Sequence, residues 1–301
     1  MDGKALLRRL RELLNEASDS EFIDDRTSYE YLYQAAIEFV DRTNCLTSTQ
    51  TITTVADQSG YTLNADYMGL YLKDRNNNYY IKYNDGSEDQ FLLFKEKEDL
   101  IYQNSTASVT VPHSWYIEDD PNIDSSSTGA NVTTDAGLGG QSTLSSTGSF
   151  EDVSAGDVVH NLTDSSDGMV VSRTSDDSIE TALFDGSNNY WTAADTFIIQ
   201  PQGRFRIVLS PPPSTSAHQI TFYYVQRPAP VFTSYGAYRF QPQHLQAILY
   251  YAAWLYKYRD RAPGFGDKYY QFFEQQVAKS RISIHGSLNQ RGWKMNLKAR
   301  R

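Results

Sequence analysis

Residues 204–225 read RFRIVLSPPPSTSAHQITFYYV, and this stretch sets the architecture of the chain. Its two ends are rich in β-branched and aromatic residues, which predicts one strand over 205–209 and a second over 219–225. The prolines at 211–213 cannot continue a hydrogen-bonded ladder and predict a stiff bend between the strands. The run SWYI at 114–117 is the predicted sheet partner of the first strand, although a long polar segment separates the two. We therefore expect one sheet that is opened between these strands by an inserted segment.

The inserted segment is marked by its charge. The chain has 301 residues and a formal net charge of −10, but residues 118–195 contain 15 acidic residues and a single basic one, Arg173. Within this segment, short apolar runs alternate with Gly, Asn, Asp and Ser, which is typical of short strands joined by turns. Its first part, 122–149, is a low-complexity Ser/Thr/Gly stretch and is predicted to be an extended loop or linker. We assign residues 121–200 to an inserted acidic all-β module.

Helical patterns flank this module on both sides. A leucine stripe over 6–14 and an apolar stripe over 32–40 predict two N-terminal helices. Pro242 begins a third apolar helical pattern, and the glycines and proline in 259–266 separate it from a fourth, which predicts an αα-hairpin. The predicted fold class is α+β: a helical bundle of two N-terminal helices plus the C-terminal αα-hairpin, with a small antiparallel β-region and the inserted all-β module. The helices and the β-region form a core of residues 1–120 and 201–280.

The C-terminal end is basic. The last 27 residues, 275–301, contain no Asp or Glu. Residues 281–301 carry too little apolar material to bury a core of their own, so this basic C-terminal arm is expected to order only against a partner. The alternative is a solvated, frayed terminus. The candidate partner-binding residues are Lys279, Arg281, Arg291, Trp293, Lys294, Leu297, Lys298, Arg300 and Arg301.

Catalytic and metal-binding patterns are missing from the sequence. The histidines lie far apart, and none has a second ligand at metal-binding spacing; they are His113, His160, His218, His244 and His285. Residues 164–168, DSSDG, are interpreted as a turn and not as a calcium loop, because the third ligand and the distal Glu are missing. Cys45 follows a helix, has no predicted base partner, and is interpreted as a buried structural thiol. We expect no enzyme activity and no cofactor.

The chain also lacks the features of secreted and membrane-spanning proteins. One cysteine excludes an intramolecular disulfide. The N-terminus has no signal-peptide pattern, and no run approaches the ~20 apolar residues that a membrane span requires. These features indicate a soluble protein without membrane contact that is made in a cytoplasm.

Several short motifs occur in a particular order along the chain outside the insert. They are the two N-terminal helices with FIDD at 22–25, the turn GYTLNADY at 60–67, the run IVLSPPP at 207–213 before ITFYY at 220–224, and the hairpin around YYAA at 250–253. In this order and spacing the chain resembles the head-to-tail adaptor (connector, or head-completion) proteins of tailed bacteriophages. Asn64 stands where that family often has Pro, and the turn remains possible.

The insert has a separate resemblance. FEDVSAGDVVHNLTD at 150–164 and NNYWTAAD at 188–195 are similar to a β-module that is scattered through phage virion proteins. This resemblance implies a virion component but no particular position in the particle. The alternative is a generic β-sandwich insertion.

The adaptor resemblance implies a structural protein of the virion neck that is synthesised in the bacterial host cytoplasm. Such adaptors form a homo-oligomeric ring, usually dodecameric, beneath the portal protein. The ring extends the channel for the genomic DNA, which passes through the lumen without sequence-specific binding, and it offers a surface to tail or nozzle proteins. In such proteins the helical part and the C-terminal arm engage the portal, while the β part faces the tail. The alternatives are another virion component, such as a tail or fibre-attachment protein, and a virion-associated hydrolase.

Overall fold

The computed structural model describes residues 1–15, 24–71, 79–101, 107–121, 127–137, 141–259 and 263–289. These residues fall into two compact units. The first, the helical unit, comprises Met1–Cys45 and Ala237–Arg301, and the second, the β unit, comprises Leu46–Gly236. The described residues contain five helices: α1 (Gly3–Leu14), α2 (Asp25–Thr43), α3 (Lys97–Ile101), α4 (Pro242–Arg259) and α5 (Pro263–Asn289). All except the short α3 belong to the helical unit.

The N-terminal helices begin and end where their capping residues require it. The carboxylate of Asp2 accepts the backbone N–H of Ala5 at the start of α1, and Asp24 accepts that of Thr27 at the start of α2, both at 2.8 Å. Asn15 ends α1 in the left-handed region at φ 59°, and Asn44 ends α2 in the same way at φ 50°. Both predicted N-terminal helices are confirmed.

The core of the helical unit is centred on α4. Helices α1, α2 and α5 all pack against α4. Ala252 and Ala253 of α4 and Phe273 of α5 are fully buried, so small side chains on one helix make room for large ones on the other. The αα-hairpin is therefore confirmed. Its second helix continues to Asn289, so residues 281–289 of the predicted arm are helical.

The β unit contains fourteen described strands in two sheets. In chain order they are β1 (Thr47–Thr53), β2 (Gly60–Thr62), β3 (Tyr67–Leu70), β4 (Tyr80–Asn84), β5 (Asp89–Phe94), β6 (Ser114–Asp119), β7 (Ser127–Ala130), β8 (Gln141–Ser145), β9 (Val158–Asn161), β10 (Ser166–Ser175), β11 (Ser178–Phe184), β12 (Thr196–Gln200), β13 (Phe205–Ser210) and β14 (Gln219–Gln226). The first sheet has eight strands in the order β1-β14-β4-β5-β6-β13-β2, with β3 also paired to β14. The second sheet has six strands in the order β7-β12-β9-β10-β11-β8.

The predicted pairing across the insert is confirmed. Strand β6 runs antiparallel to β13 through six consecutive residue pairs, from Phe205 opposite Asp119 to Ser210 opposite Ser114. Trp115 is fully buried at the centre of the first sheet, and its indole Nε1–H donates to the carbonyl oxygen of Leu92 at 2.9 Å. The first sheet also curls, so that its two edge strands, β1 and β2, approach each other. The Gln50 side chain on β1 donates to the carbonyl oxygen of Thr62 in β2 and accepts the backbone N–H of Asn64 just after it.

The second sheet has a core of its own. All six of its strands lie between residues 127 and 200. Trp191 is fully buried among apolar side chains, and its indole N–H donates to the Thr181 hydroxyl at 2.8 Å. The other members of this core are Leu144, Phe150, Val153, Val159, Val170, Ile179, Leu183, Phe197 and Ile199.

The predicted fold class is wrong in its proportions. The β unit, and not a helical bundle, forms most of the chain, and the β-region outside the insert is an eight-stranded sheet instead of a small one. Strands β7 and β8 arise from the low-complexity stretch 122–149 that was predicted to be a loop or linker. In β8 only Ser142 and Leu144 face the core, so a strand there needs a single large apolar residue. Composition therefore understated the amount of sheet.

Close approach of two strands fixes one glycine of the second sheet. A Cβ on Gly168 of β10 would collide with the carbonyl oxygen of Ala182 on the paired strand β11. We predict that Gly168→Ala lowers the free energy of unfolding by about 3 kcal/mol, since overpacking against backbone cannot be relieved by a rotamer change. Gly203→Ala is the matched control, because a Cβ at that position meets no atom within 4 Å. Chemical denaturation followed by tryptophan fluorescence checks this, and equal stability of the two variants would contradict it.

Candidate partner interface

The predicted partner-binding residues are divided between described and undescribed parts of the chain. Lys279 and Arg281 lie on α5, and both side chains are exposed. The remaining seven lie outside the described residues; they are Arg291, Trp293, Lys294, Leu297, Lys298, Arg300 and Arg301. The structure thus places the first two predicted interface residues on a helix. The seven residues further along the arm remain a prediction.

Helix α5 contacts its neighbours α2 and α4 through two consecutive residues, Ser280 and Arg281. The Arg281 Nε–H donates to the backbone carbonyl of Arg42 in the last turn of α2, at 2.6 Å. Basic side chains are favourable there because the terminal carbonyls of a helix lack partners within it. One residue earlier, the buried Ser280 hydroxyl lies 2.9 Å from Nδ1 of His244 on α4. Burial lowers the pKa of His244, which favours a neutral imidazole in this contact.

A cluster around the Arg42 guanidinium holds α5 against α2 about two to three turns before Arg281, at Glu274 and Tyr270. Arg42 donates from Nε to Glu38 and from Nη1 to Glu274, each at 2.6 Å, and from Nη2 to the Tyr270 hydroxyl at 3.1 Å. The hydrogen bond to Glu38 is the largest of the contacts that raise the pKa of Arg42. The guanidinium carbon also lies 5.9 Å from the ring centre of Phe273. Sequence analysis missed this cluster, and the only sequence signal for it was the i, i+4 spacing of Glu38 and Arg42.

The αα-hairpin also carries a strip of partly exposed aromatic side chains. The Trp254 ring centre lies 5.1 Å from that of Tyr251, 5.1 Å from that of Tyr270, and 5.8 Å from that of Tyr258. Tyr258 is 67% exposed, although large aromatic residues are usually mostly buried. Tyrosine, tryptophan and arginine are the residues that protein interfaces favour. The helical unit therefore exposes aromatic and basic side chains of the types that interfaces favour.

The acidic residues of the second sheet serve the turns of that sheet. The Asp135 carboxylate accepts the backbone N–H groups of Gly137 and Thr143. A hydrogen bond from the Thr143 side chain, followed by these two backbone contacts, lowers its pKa. Asp177 accepts the N–H of Gly148 at 2.6 Å. The buried Asp157 accepts that of Ser154 at 2.8 Å, while burial raises its pKa. Aspartate is favoured in such turns because its short side chain reaches nearby backbone donors.

The predicted absence of a metal-binding arrangement can be examined only in the described ranges, where no group of three or more His, Cys, Asp or Glu residues could hold a metal ion. Residues 164–168 were predicted to form a turn; 164 and 165 do lie in the turn between β9 and β10, whereas 166–168 already belong to β10. His160 lies 2.6 Å from the Asp167 carboxylate, and His218 lies 2.7 Å from the Tyr83 hydroxyl. These two histidines therefore contact different partners in different sheets. The side chain of His285 is outside the described set, and His113 is exposed.

Cys45 differs from its predicted environment. Its thiol is free and half-buried, whereas a fully buried thiol was expected. Partial burial raises its pKa, with a hydrogen bond to Thr43 acting in the opposite direction. A raised pKa reduces the thiolate fraction and therefore the reactivity of this cysteine.

The Arg42 cluster makes a direct prediction about stability. Arg42→Met should lower the free energy of unfolding by about 1–2 kcal/mol, because it removes hydrogen bonds from two carboxylates and a tyrosine at a partly exposed site. Arg8→Met is the matched control, since Arg8 and its partner Glu12 are 71% and 67% exposed and 3.6 Å apart. Thermal unfolding of both variants measures the difference. An Arg42→Met protein as stable as the Arg8→Met protein would show that the cluster does not fasten α5.

The comparisons with known proteins bear on the N-terminal part of the chain, and no curated protein matches it. Neither helix of the αα-hairpin and no part of the arm lies within the matched range of a family model, which ends before α4 begins. That model, described as SU10 adaptor protein, matches residues 1–133, which include helices α1 to α3 and strands β1 to β7. The described helices include none that is both long and apolar enough to cross a membrane. Through its first 133 residues the chain is similar to the SU10 adaptor proteins, and this similarity supports a phage adaptor-type structural protein of the virion.

Proposed function

We propose that this chain is a head-to-tail adaptor that forms a homo-oligomeric ring, of twelve copies, beneath the portal protein. The ring would join the phage head to the tail and extend the DNA channel. The observation that carries this proposal is the match of residues 1–133, which include α1 to α3 and the first seven strands, to the SU10 adaptor family model. Synthesis in the bacterial host cytoplasm and a structural role without catalysis are parts of the same proposal.

The helical unit and the C-terminal arm are the proposed portal-binding elements. Three features support this assignment: Lys279 and Arg281 are exposed, α5 is fastened at Ser280 and Arg281, and the hairpin carries an exposed aromatic strip. An anchored helix presents the following arm from a fixed point, which reduces the entropy that the arm loses on binding. Trp293 and Leu297 are the proposed apolar anchors of the arm. The proposed pairing charges are Arg291, Lys294, Lys298, Arg300 and Arg301.

Genomic DNA is proposed to pass through the ring without sequence-specific binding. Residues 118–195 carry a net charge of −14, which repels phosphate and opposes retention of DNA by the second sheet. The arm has basic residues, but Trp293 is its only aromatic side chain for stacking on bases. A conduit that held DNA tightly would slow packaging and ejection, so a protein partner suits the arm better.

A second candidate function is another virion binding component, such as a tail or fibre-attachment protein. The separate apolar core of the second sheet, centred on Trp191, favours it, because such a module can be carried by several kinds of virion protein. The N-terminal family match favours the adaptor. Binding to purified portal separates the two, since only the adaptor requires it.

The part of the arm that follows α5, residues 290–301, can be removed without cutting into the helix. Truncation after Asn289 deletes residues 290–301, and we predict an unchanged melting temperature but a loss of portal affinity of about tenfold or more, equivalent to ~1.4 kcal/mol or more. Truncation after Ser280 also removes the last turns of the helix and the Arg281 contact. This shorter protein should bind the portal no better than the protein that ends at Asn289. Sedimentation with purified portal rings measures both. If the protein that ends at Asn289 joins the portal at wild-type affinity in moderate salt, the arm is a solvated terminus.

The acidic module is predicted to be dispensable for ring assembly. The Asp120 backbone N–H donates to the carbonyl of Arg204 at 2.9 Å, so the two ends of the excursion are adjacent. Replacing residues 121–203 by a short Gly/Ser turn should leave a folded protein that binds portal and forms rings. Native mass spectrometry with and without portal measures ring formation. A deletion protein that folds but forms no ring would show that the module contributes to contacts between copies.

A further inference from the structure

One end of the second sheet exposes apolar side chains on an otherwise acidic module. Three loops meet there: the loop after β7, the turn between β9 and β10, and the loop before β12. Val132 in the first loop is 61% exposed and Leu162 in the second is 52% exposed. Ala193 and Ala194 in the third are exposed as well. We call these four residues the apolar tip.

The loops of the apolar tip are held by a buried carboxylate. Asp195 is 3% exposed, and it accepts hydrogen bonds from the Asn161 side chain at 3.1 Å and from the backbone and hydroxyl of Thr192 at 2.7 Å each. Its backbone carbonyl accepts the N–H of Asn131 at 2.7 Å. The carboxylate and the backbone carbonyl of Asp195 together therefore connect residues of all three loops. The tip is therefore preorganised, which lowers the entropic cost of binding.

The backbone of the tip is also strained at one position. Ala194 has φ 74°, in the left-handed region that glycine tolerates and alanine does not favour. Its N–H donates to the carbonyl of Asn131 at 2.8 Å, which holds the conformation. Strained residues persist where the surrounding structure enforces them, and such sites cluster at binding surfaces.

We propose that the apolar tip is a docking site for a basic protein surface that contains an apolar pocket. This inference rests on the proposed adaptor function and assigns the partner to the tail side of the ring. Apolar side chains exposed together on rigid loops mark interaction sites. The charge of the surrounding module, 15 acidic residues against one basic residue, selects a partner with basic groups around the pocket. A second copy of the same module would face it with like charge, so self-contact between tips is disfavoured.

The test uses the full-length chain assembled on purified portal, with tails purified from the same phage as the probe. The variant Val132→Asp/Leu162→Asp places charges on the tip at two largely exposed positions. We expect an unchanged melting temperature, unchanged portal binding, and tail affinity lowered at least ~10-fold. Val55→Asp is the matched control, because Val55 lies in the first-sheet part of the chain and is 50% exposed, and it should bind tails as the wild type does. A second variant, Ala194→Gly, removes the methyl group and the strain together, so it should weaken tail binding without lowering the melting temperature.

Each other outcome contradicts the proposal in a recognisable way. Wild-type tail affinity for the double variant shows that the tip contacts nothing in the tail. Loss of ring formation or portal binding in the double variant assigns the tip to those contacts instead. An equal loss of tail affinity for Val55→Asp shows that the effect is not specific to the tip. Failure of the wild-type chain to bind portal would overturn the adaptor function itself, which is a separate result from normal portal binding without tail binding.

Discussion

The antiparallel pairing of β6 with β13 is the constraint on which the rest of the β unit depends. It places the chain's exit at Asp119 opposite its return at Phe205, so that everything between them is a closed excursion from one sheet. The cost of closing a flexible loop grows only slowly with its length, so a whole sheet can be accommodated between two paired strands. The same pairing completes the first sheet, because β6 is the strand that joins β5 to β13. Without it the first sheet would divide at its centre beside Trp115.

The base of this excursion is polar, and it links the two sheets. The Arg204 guanidinium donates to the Ser154 hydroxyl at 2.9 Å and to the carbonyl of Asp152. The Arg227 guanidinium donates to the side-chain oxygen of Gln202. The backbone N–H of Gln202 in turn donates to the buried Asp157 carboxylate at 2.9 Å. The Arg204 Nε is buried without a hydrogen-bond partner, which is a cost that the neighbouring contacts must offset. Such a base positions the second sheet more firmly than two flexible linkers would.

The sequence predicted the long apolar elements well and the polar strands poorly. Strands β13 and β14, their partner β6, and four of the helices were predictable, because each carries a regular apolar pattern. Strands β7 and β8 were not, since a strand that buries one large residue among Ser, Thr and Gly has the composition of a linker. Of the candidate interface, Lys279 and Arg281 were named from the sequence and their binding role stays a prediction. The sequence could not show that α5 continues to Asn289 or that Arg42 holds it against α2. The apolar tip was missed for a related reason, because Val132 and Leu162 are single residues far apart in the chain.

The acidic composition of the second sheet has a local cause and a long-range consequence. Aspartates such as Asp135, Asp177 and Asp195 accept backbone N–H groups in turns, so much of the negative charge follows from the number of turns that a six-stranded sheet requires. The negative charge of the module acts at long range even though each carboxylate has a local structural role. In the proposed ring, every copy would contribute the same charge to one circular band. A surface of this kind resists non-specific contact with DNA and with other acidic proteins. On the proposed adaptor, the binding specificity of this module would come from the few apolar side chains that rigid turns hold outward, and the carboxylates that build the turns would select which partner can approach them.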